Sequence, residues 1–176
     1  NPKHRGILGE IFLETILENA LGAGLYKMQY AFENGEIVDA AILLKNNIIP
    51  IDSKFSLEKY NQIMEEGEGK KREVLEKEFR ADVKKRIDET SKYVRPEERT
   101  TDFAFMYIPA EGIYHSLLVN NVGVSVNTQN LLEYAYSKKV MIVSPSSFLA
   151  YLQTVLQGLN QNKMVEGLEE IKKNVN

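Results

Sequence analysis

Three apolar runs separated by turns of two and three residues occupy positions 25–54, and this pattern constrains the fold more than any other. LYKMQYAFE (25–33) and EIVDAAILL (36–44) flank Asn34-Gly35, a pair suited to the tight turns of hairpins because both residues tolerate positive φ. Lys45-Asn46-Asn47 makes the next turn, and IIPIDSK (48–54) follows. Strands joined this closely pair antiparallel, so the segment predicts a three-stranded meander.

The third run breaks its own pattern. Ile48, Ile49, Pro50 and Ile51 read as a buried strand, yet Asp52 and Lys54 follow at once. Burying an ion costs roughly several kcal/mol unless a partner or a metal offsets it. Alternation along a strand points Asp52 and Lys54 the same way. On the preceding strand Asp39 interrupts another apolar run, and a hairpin centred near residue 46 sets it opposite about residue 53. Asp39 and Asp52 are therefore expected as near neighbours. Two carboxylates pushed together repel each other, and a divalent cation removes that cost. An adjacent ammonium can steady a phosphate, or orient or deprotonate a water. Spacing alone also fits a bland alternative, in which Asp52 and Lys54 form an exposed ion pair and Asp39 is a surface residue near a turn.

Around the meander, residues 6–21 read as a helix closed by Gly22 and Gly24. Its Glu10, Glu14 and Glu18 recur every four residues on one stripe, flanked by Ile7, Ile11, Leu17 and Leu21. Glu10, beside Gly9, is the first choice for a third acid at the site; Glu14 and Glu18 fit a solvated stripe. Ser56 is expected to cap a helix to about residue 66. After Gly67 and Gly69 a charged helix runs to about Tyr93, with Leu75, Phe79, Val83 and Ile87 as its packing stripe. A loop (94–101), a strand (102–109), a helix from Glu111, a loop (120–128), a helix (129–138) and a strand (139–145) follow. Ser146 or Ser147 is expected to cap a helix through Leu159, and a polar helical tail starts at Asn160. This order predicts a mixed sheet with helices on both faces.

Composition narrows the chemistry. With 176 residues, 43% of them apolar, the chain fits one domain with a real core. A net charge of −3 gives no sign of a surface coated for nucleic acid, so a polyanion site has to be local or metal-mediated. The absence of Cys excludes disulfides and thiolate chemistry, and His4 and His115 lie too far apart for an ordinary zinc site. Gly67-Glu68-Gly69-Lys70 fails as a phosphate loop, because no strand precedes it and Lys71 fills the Ser/Thr position. Ser144 to Ser147 have no evident His partner for hydrolase chemistry. No apolar run reaches membrane-spanning length, and a chain starting at Asn1 reads as part of something longer.

The order helix-Glu, strand-Asp, strand-Asp-x-Lys is that of PD-(D/E)xK phosphodiesterases. Over nearly its whole length the chain resembles the RmuC family of DNA recombination proteins. Gly6-Ile7-Leu8-Gly9-Glu10 is similar to that family's opening G-x-W-G-E, and Ile51-Asp52-Ser53-Lys54 to its I-D-(A/S)-K. Thr101-Asp102-Phe103 through Met106-Tyr107-Ile108-Pro109, with Glu111, resembles its D-x-x-x-M-F-I-P-x-E, and Val143-Ser144-Pro145-Ser146-Ser147 its V-S-P-T-T. Leu8 replaces the usual Trp, Val38 the Pro before the aspartate, and Gln153 an Arg.

The resemblance implies a restriction-endonuclease-like αβββαβ core in a single domain, 1–176, whose last stretch (160–176) is a polar helix. It implies a nuclease acting on DNA, with Mg²⁺ or Mn²⁺ bound by Asp39, Asp52, Glu10 and the Ser53 carbonyl, and with Lys54 working on the attacking water. Lys84, Lys85 and Arg86 fall where the family carries basic residues, either facing a phosphate backbone or forming a solvated helix face. Coiled-coil and membrane-anchoring segments upstream in relatives imply a homo-oligomer assembled outside this chain, a cytoplasmic location, and no membrane contact by the domain itself. Two alternatives stand beside this reading: a nuclease fold that binds DNA without turnover, and a purely structural ion-pair cluster.

Overall fold

In the computed structural model, which describes residues 2–119 and 130–175, the expected meander forms one side of a five-stranded sheet. Strands β1 (Tyr26–Ala31), β2 (Ile37–Leu43) and β3 (Ile48–Asp52) pair antiparallel in sequence order. β4 (Ala104–Tyr107) joins β3 in parallel, and β5 (Val140–Val143) joins β4 in parallel, giving the order β1-β2-β3-β4-β5. All residues of β3 and β4 are buried, as expected of central strands covered on both faces. Each strand is shorter than the run predicted for it.

Helices cover both faces, as the alternation of elements predicts. On one face α1 (Pro2–Leu21) packs Leu13, Leu17 and Leu21 against Ala40, Ile42, Ile49 and Ile51, joined by Phe148 and Leu152 of α6 (Pro145–Val175). On the other, α3 (Lys70–Ser91) buries Phe79, Val83 and Ile87 against Met106, Ile108, Val140 and Ile142. The expected stripe thus forms, with Leu75 half-buried at its start. Ile63 of α2 (Glu58–Glu65), Ile113 of α4 (Glu111–Val119) and Ala135 of α5 (Leu131–Ser137) complete that cluster.

Helix termini differ from expectation in three places. Ser56 stands one residue too early to cap α2: Leu57 precedes the helix, and Ser56 Oγ accepts only a long bond of 3.4 Å from Glu58 N. The last helix begins at Pro145, whose missing N–H suits a first turn. Ser147 Oγ there accepts from Ser144 N at 2.8 Å, so it bonds back to the residue before the helix instead of capping a later start. α6 also runs unbroken to Val175, so residues from Asn160 continue it and do not make a helix of their own. The loop expected at 120–128 lies outside the described residues. No helix among the described residues is long and apolar enough to cross a membrane.

Candidate active site

Ala40 lies opposite Ile51, so the β2–β3 register continued by one pair sets Asp39 opposite Asp52, one residue from the expected alignment. Ala40 and Ile51 face α1 and α6, which turns both aspartates toward α3. Each is 1% exposed. The exposed ion-pair reading therefore does not hold for Asp52.

β3 ends here for a local reason. Asp52 Oδ1 accepts the N–H of Lys54 at 3.1 Å, an Asx-type bond that competes with the strand ladder. The turn carries the Lys54 side chain across to Asp39, where Nζ meets Oδ1 at 2.9 Å. Asp39 Oδ2 accepts from Ser53 N at 2.7 Å and Ser53 Oγ at 3.3 Å. From α3, Arg86 Nη2 at 2.5 Å and Thr90 Oγ1 at 2.8 Å both donate to Asp52 Oδ2. All four carboxylate oxygens accept donors, and two cations balance the two negative charges.

Lys54 is the exposed end of this cluster. Burial works against its charge, but the hydrogen bond to Asp39 and the fields of Asp39 and Asp52 raise its pKa above the ordinary lysine value. It is an ammonium at neutral pH. Tyr93 stands close by, its pKa raised chiefly by burial, with Lys54 opposing and Asp52 assisting the rise. The β1 position facing Asp39 is Gln29, whose φ of 52° lies in the left-handed region, and ladder pairing is recorded on either side of it but not at it. Such backbone strain in a non-glycine residue gathers at functional sites.

A cleft of about 200 Å³ opens beside the cluster, lined among others by Lys54, Ser56, Lys59, Lys85 and Arg86. The basic trio of α3 divides around the helix. Lys85 and Arg86 line this cleft, whereas Lys84 lies 4.6 Å over the ring of Tyr134 on α5.

The RmuC family model matches residues 1–176. This chain belongs to the RmuC family. Similar proteins include a DNA recombination protein RmuC homolog of Zymomonas mobilis, 28% identical over 97% of this chain and 38% of the relative. Its homolog in Neisseria meningitidis is 31% identical over 87% of this chain and 27% of the relative, and that of Xylella fastidiosa is 28% identical over 89% and 35%. The chain thus spans well under half the length of these relatives. No solved structure matches it.

Two further segments that resemble RmuC meet in space. Glu111 opens α4 and reaches the start of α6, where Oε1 accepts from Ser146 N at 2.7 Å and Oε2 from Ser144 Oγ at 2.9 Å. A carboxylate at a helix N-terminus satisfies a free N–H and complements the helix dipole. Burial would raise the Glu111 pKa, but the bonds from Ser146 and Ser144 prevail and lower it. This capping role was not legible in sequence, since 33 residues separate Glu111 from Ser144.

Of the other expected site residues, Glu10 lies in α1 and its side chain is outside the described residues; the described part of α1 packs on the sheet face opposite the aspartates. Glu14 and Glu18 are exposed, and Glu18 accepts from the Tyr26 hydroxyl at 2.5 Å, in keeping with a solvated stripe. Sequence reading missed the pairing of Arg86 and Thr90 with Asp52. Its only signal is their i, i+4 spacing beside the apolar stripe of α3. The donor chemistry suits a hard divalent cation, since two buried carboxylates face each other on adjacent strands. Among the described residues no group of three or more acidic, His or Cys side chains is arranged to hold a metal.

Proposed function

We propose that this domain is a divalent-cation-dependent phosphodiesterase acting on DNA, built on a restriction-endonuclease-like αβββαβ core. The observation that carries the reading is the convergence of Asp39 and Asp52 from facing strands, with the Lys54 ammonium bonded to Asp39 and the Lys54 backbone N–H to Asp52. The meander followed by a parallel strand, with helices on both faces, supports the core that the PD-(D/E)xK resemblance implies. Mg²⁺ or Mn²⁺ would be held by Asp39 and Asp52, with the Ser53 carbonyl as a further oxygen donor, and would supply Lewis-acid chemistry. Lys54, whose ammonium pairs with Asp39, would stabilise negative charge developing on a phosphate and orient the attacking water. Lys85 and Arg86 line the cleft that a DNA phosphate would enter.

The test is cleavage of single-stranded, duplex and branched DNA with Mg²⁺ or Mn²⁺. Wild-type protein is expected to cut, and Asp52→Asn and Lys54→Ala to lose the activity; full cleavage by either variant overturns the reading. One observation favours a second function, DNA binding without turnover: every oxygen of the two aspartates is already bonded within the protein. Intact DNA binding with no cation binding at millimolar concentration supports that alternative.

A further inference from the structure

We propose that Arg86 exchanges between Asp52 and a phosphate group in the adjoining cleft, so that a divalent cation and a phosphodiester bind this site cooperatively. The inference rests on the cation-dependent reading above. Arg86 Nη2 holds Asp52 Oδ2, the oxygen that Thr90 also contacts. A cation arriving at that oxygen meets a guanidinium at hydrogen-bonding distance, and like charges so close repel. For the cation to settle, Arg86 has to move.

The cleft offers it a destination. Arg86 lines it, and the side chain is 21% exposed, so it stands at the boundary between core and cleft. Its Nε is buried without an acceptor among the described residues, and only Nη2 is engaged by Asp52. A guanidinium presents its donors as a planar fork that matches phosphate two bonds at a time, and here half of that fork is unused. The acids of the cleft wall do not repel an incoming anion strongly, because each is held by a lysine. Asp82 pairs with Lys59 at 3.2 Å, and Glu89 with Lys92 at 3.0 Å. Lys85 adds a positive charge with no ion-pair partner among the described residues. A phosphodiester drawing Arg86 away frees Asp52, and a cation at Asp52 releases Arg86 to the phosphate. By linkage, each ligand raises the affinity of the other by the same factor.

The experiment measures Mn²⁺ affinity by calorimetry, with and without a short oligothymidylate carrying phosphorothioate linkages. In wild-type protein the oligonucleotide is expected to raise Mn²⁺ affinity by about fivefold or more. Arg86→Gln is expected to bind Mn²⁺ more tightly than wild type when no oligonucleotide is present, and to show a rise of roughly twofold or less. Equal affinities and equal rises in the two proteins overturn the exchange and leave the cleavage reading standing. Absence of Mn²⁺ binding in both overturns the two together. If Arg86→Gln does not fold, the Arg86 Nε–H resonance of wild-type protein decides: it shifts as Mg²⁺ binds if the guanidinium leaves Asp52. An unmoved resonance in the Mg²⁺-bound protein overturns the exchange.

Discussion

Asp52→Ala isolates the energetic role of the carboxylate at the end of β3. The residue is 1% exposed, and its side chain accepts from Lys54 N, Arg86 Nη2 and Thr90 Oγ1. Thr90 loses least, because its hydroxyl also bonds the Arg86 carbonyl at 2.9 Å. Arg86 loses its carboxylate and keeps its charge. Removing one member of a buried ion pair costs about 3–5 kcal/mol. With 21% of the Arg86 side chain exposed, the stranded guanidinium can hydrate from the cleft, which points to the lower end, about 3 kcal/mol. That is a large share of a total stability of roughly 5–15 kcal/mol. Urea unfolding followed by far-UV circular dichroism at neutral pH measures it. Asp52→Ala, Arg86→Leu and the double variant form a cycle in which the double variant should be more stable than the sum of the single losses implies. A loss below about 1 kcal/mol, the range of an exposed pair, refutes the account of Asp52 as a buried anchor.

Glu111→Ala should cost about 1 kcal/mol by removing the acceptor at the start of α6, measured by the same unfolding assay. Because the folded pKa of Glu111 is lowered, its contribution is present above the unfolded value of ~4.3 and is lost as pH falls through the depressed folded value; Glu111→Gln should remove that part of the acid sensitivity. Tyr107→Phe should stabilise by about 1 kcal/mol, since the buried Tyr107 hydroxyl has no hydrogen-bond partner among the described residues, and a lower melting temperature contradicts this. In fluorescence anisotropy titrations with labelled DNA, Lys85→Ala should weaken binding and lower the salt slope by about one unit. Lys84→Ala, whose ammonium sits over Tyr134, should leave both nearly unchanged.

Much of the fold is written in local pattern. Asn34-Gly35 and Lys45-Asn46-Asn47 leave the chain no room for anything but adjacent antiparallel strands, and Phe79, Val83 and Ile87 mark which side of α3 meets the sheet. The helix ends were less legible, because their caps come from elsewhere. Ser147 bonds back to Ser144, and Glu111 reaches α6 from another helix. Asp39, Asp52 and Lys54 could be brought together on paper since one short turn joins their strands. Lys54 was expected beside Asp52 by strand alternation, but the strand stops at Asp52, and the turn that stops it sends Lys54 to Asp39.

By itself, then, the sequence determined the meander, the apolar stripes and the nearness of two aspartates. Those features depend on turn length, side-chain periodicity and register, which act over a few residues. Only the tertiary structure decided that both aspartates turn toward α3 and are buried there, that Arg86 and Thr90 reach Asp52 across 34 and 38 residues, and that Lys84 parts company with its neighbours. These outcomes depend on how α3 settles against the sheet, a docking governed by the burial of Phe79, Val83 and Ile87. The polar residues beside that stripe are carried to the site by hydrophobic packing, and no local spacing encodes which carboxylate they will meet.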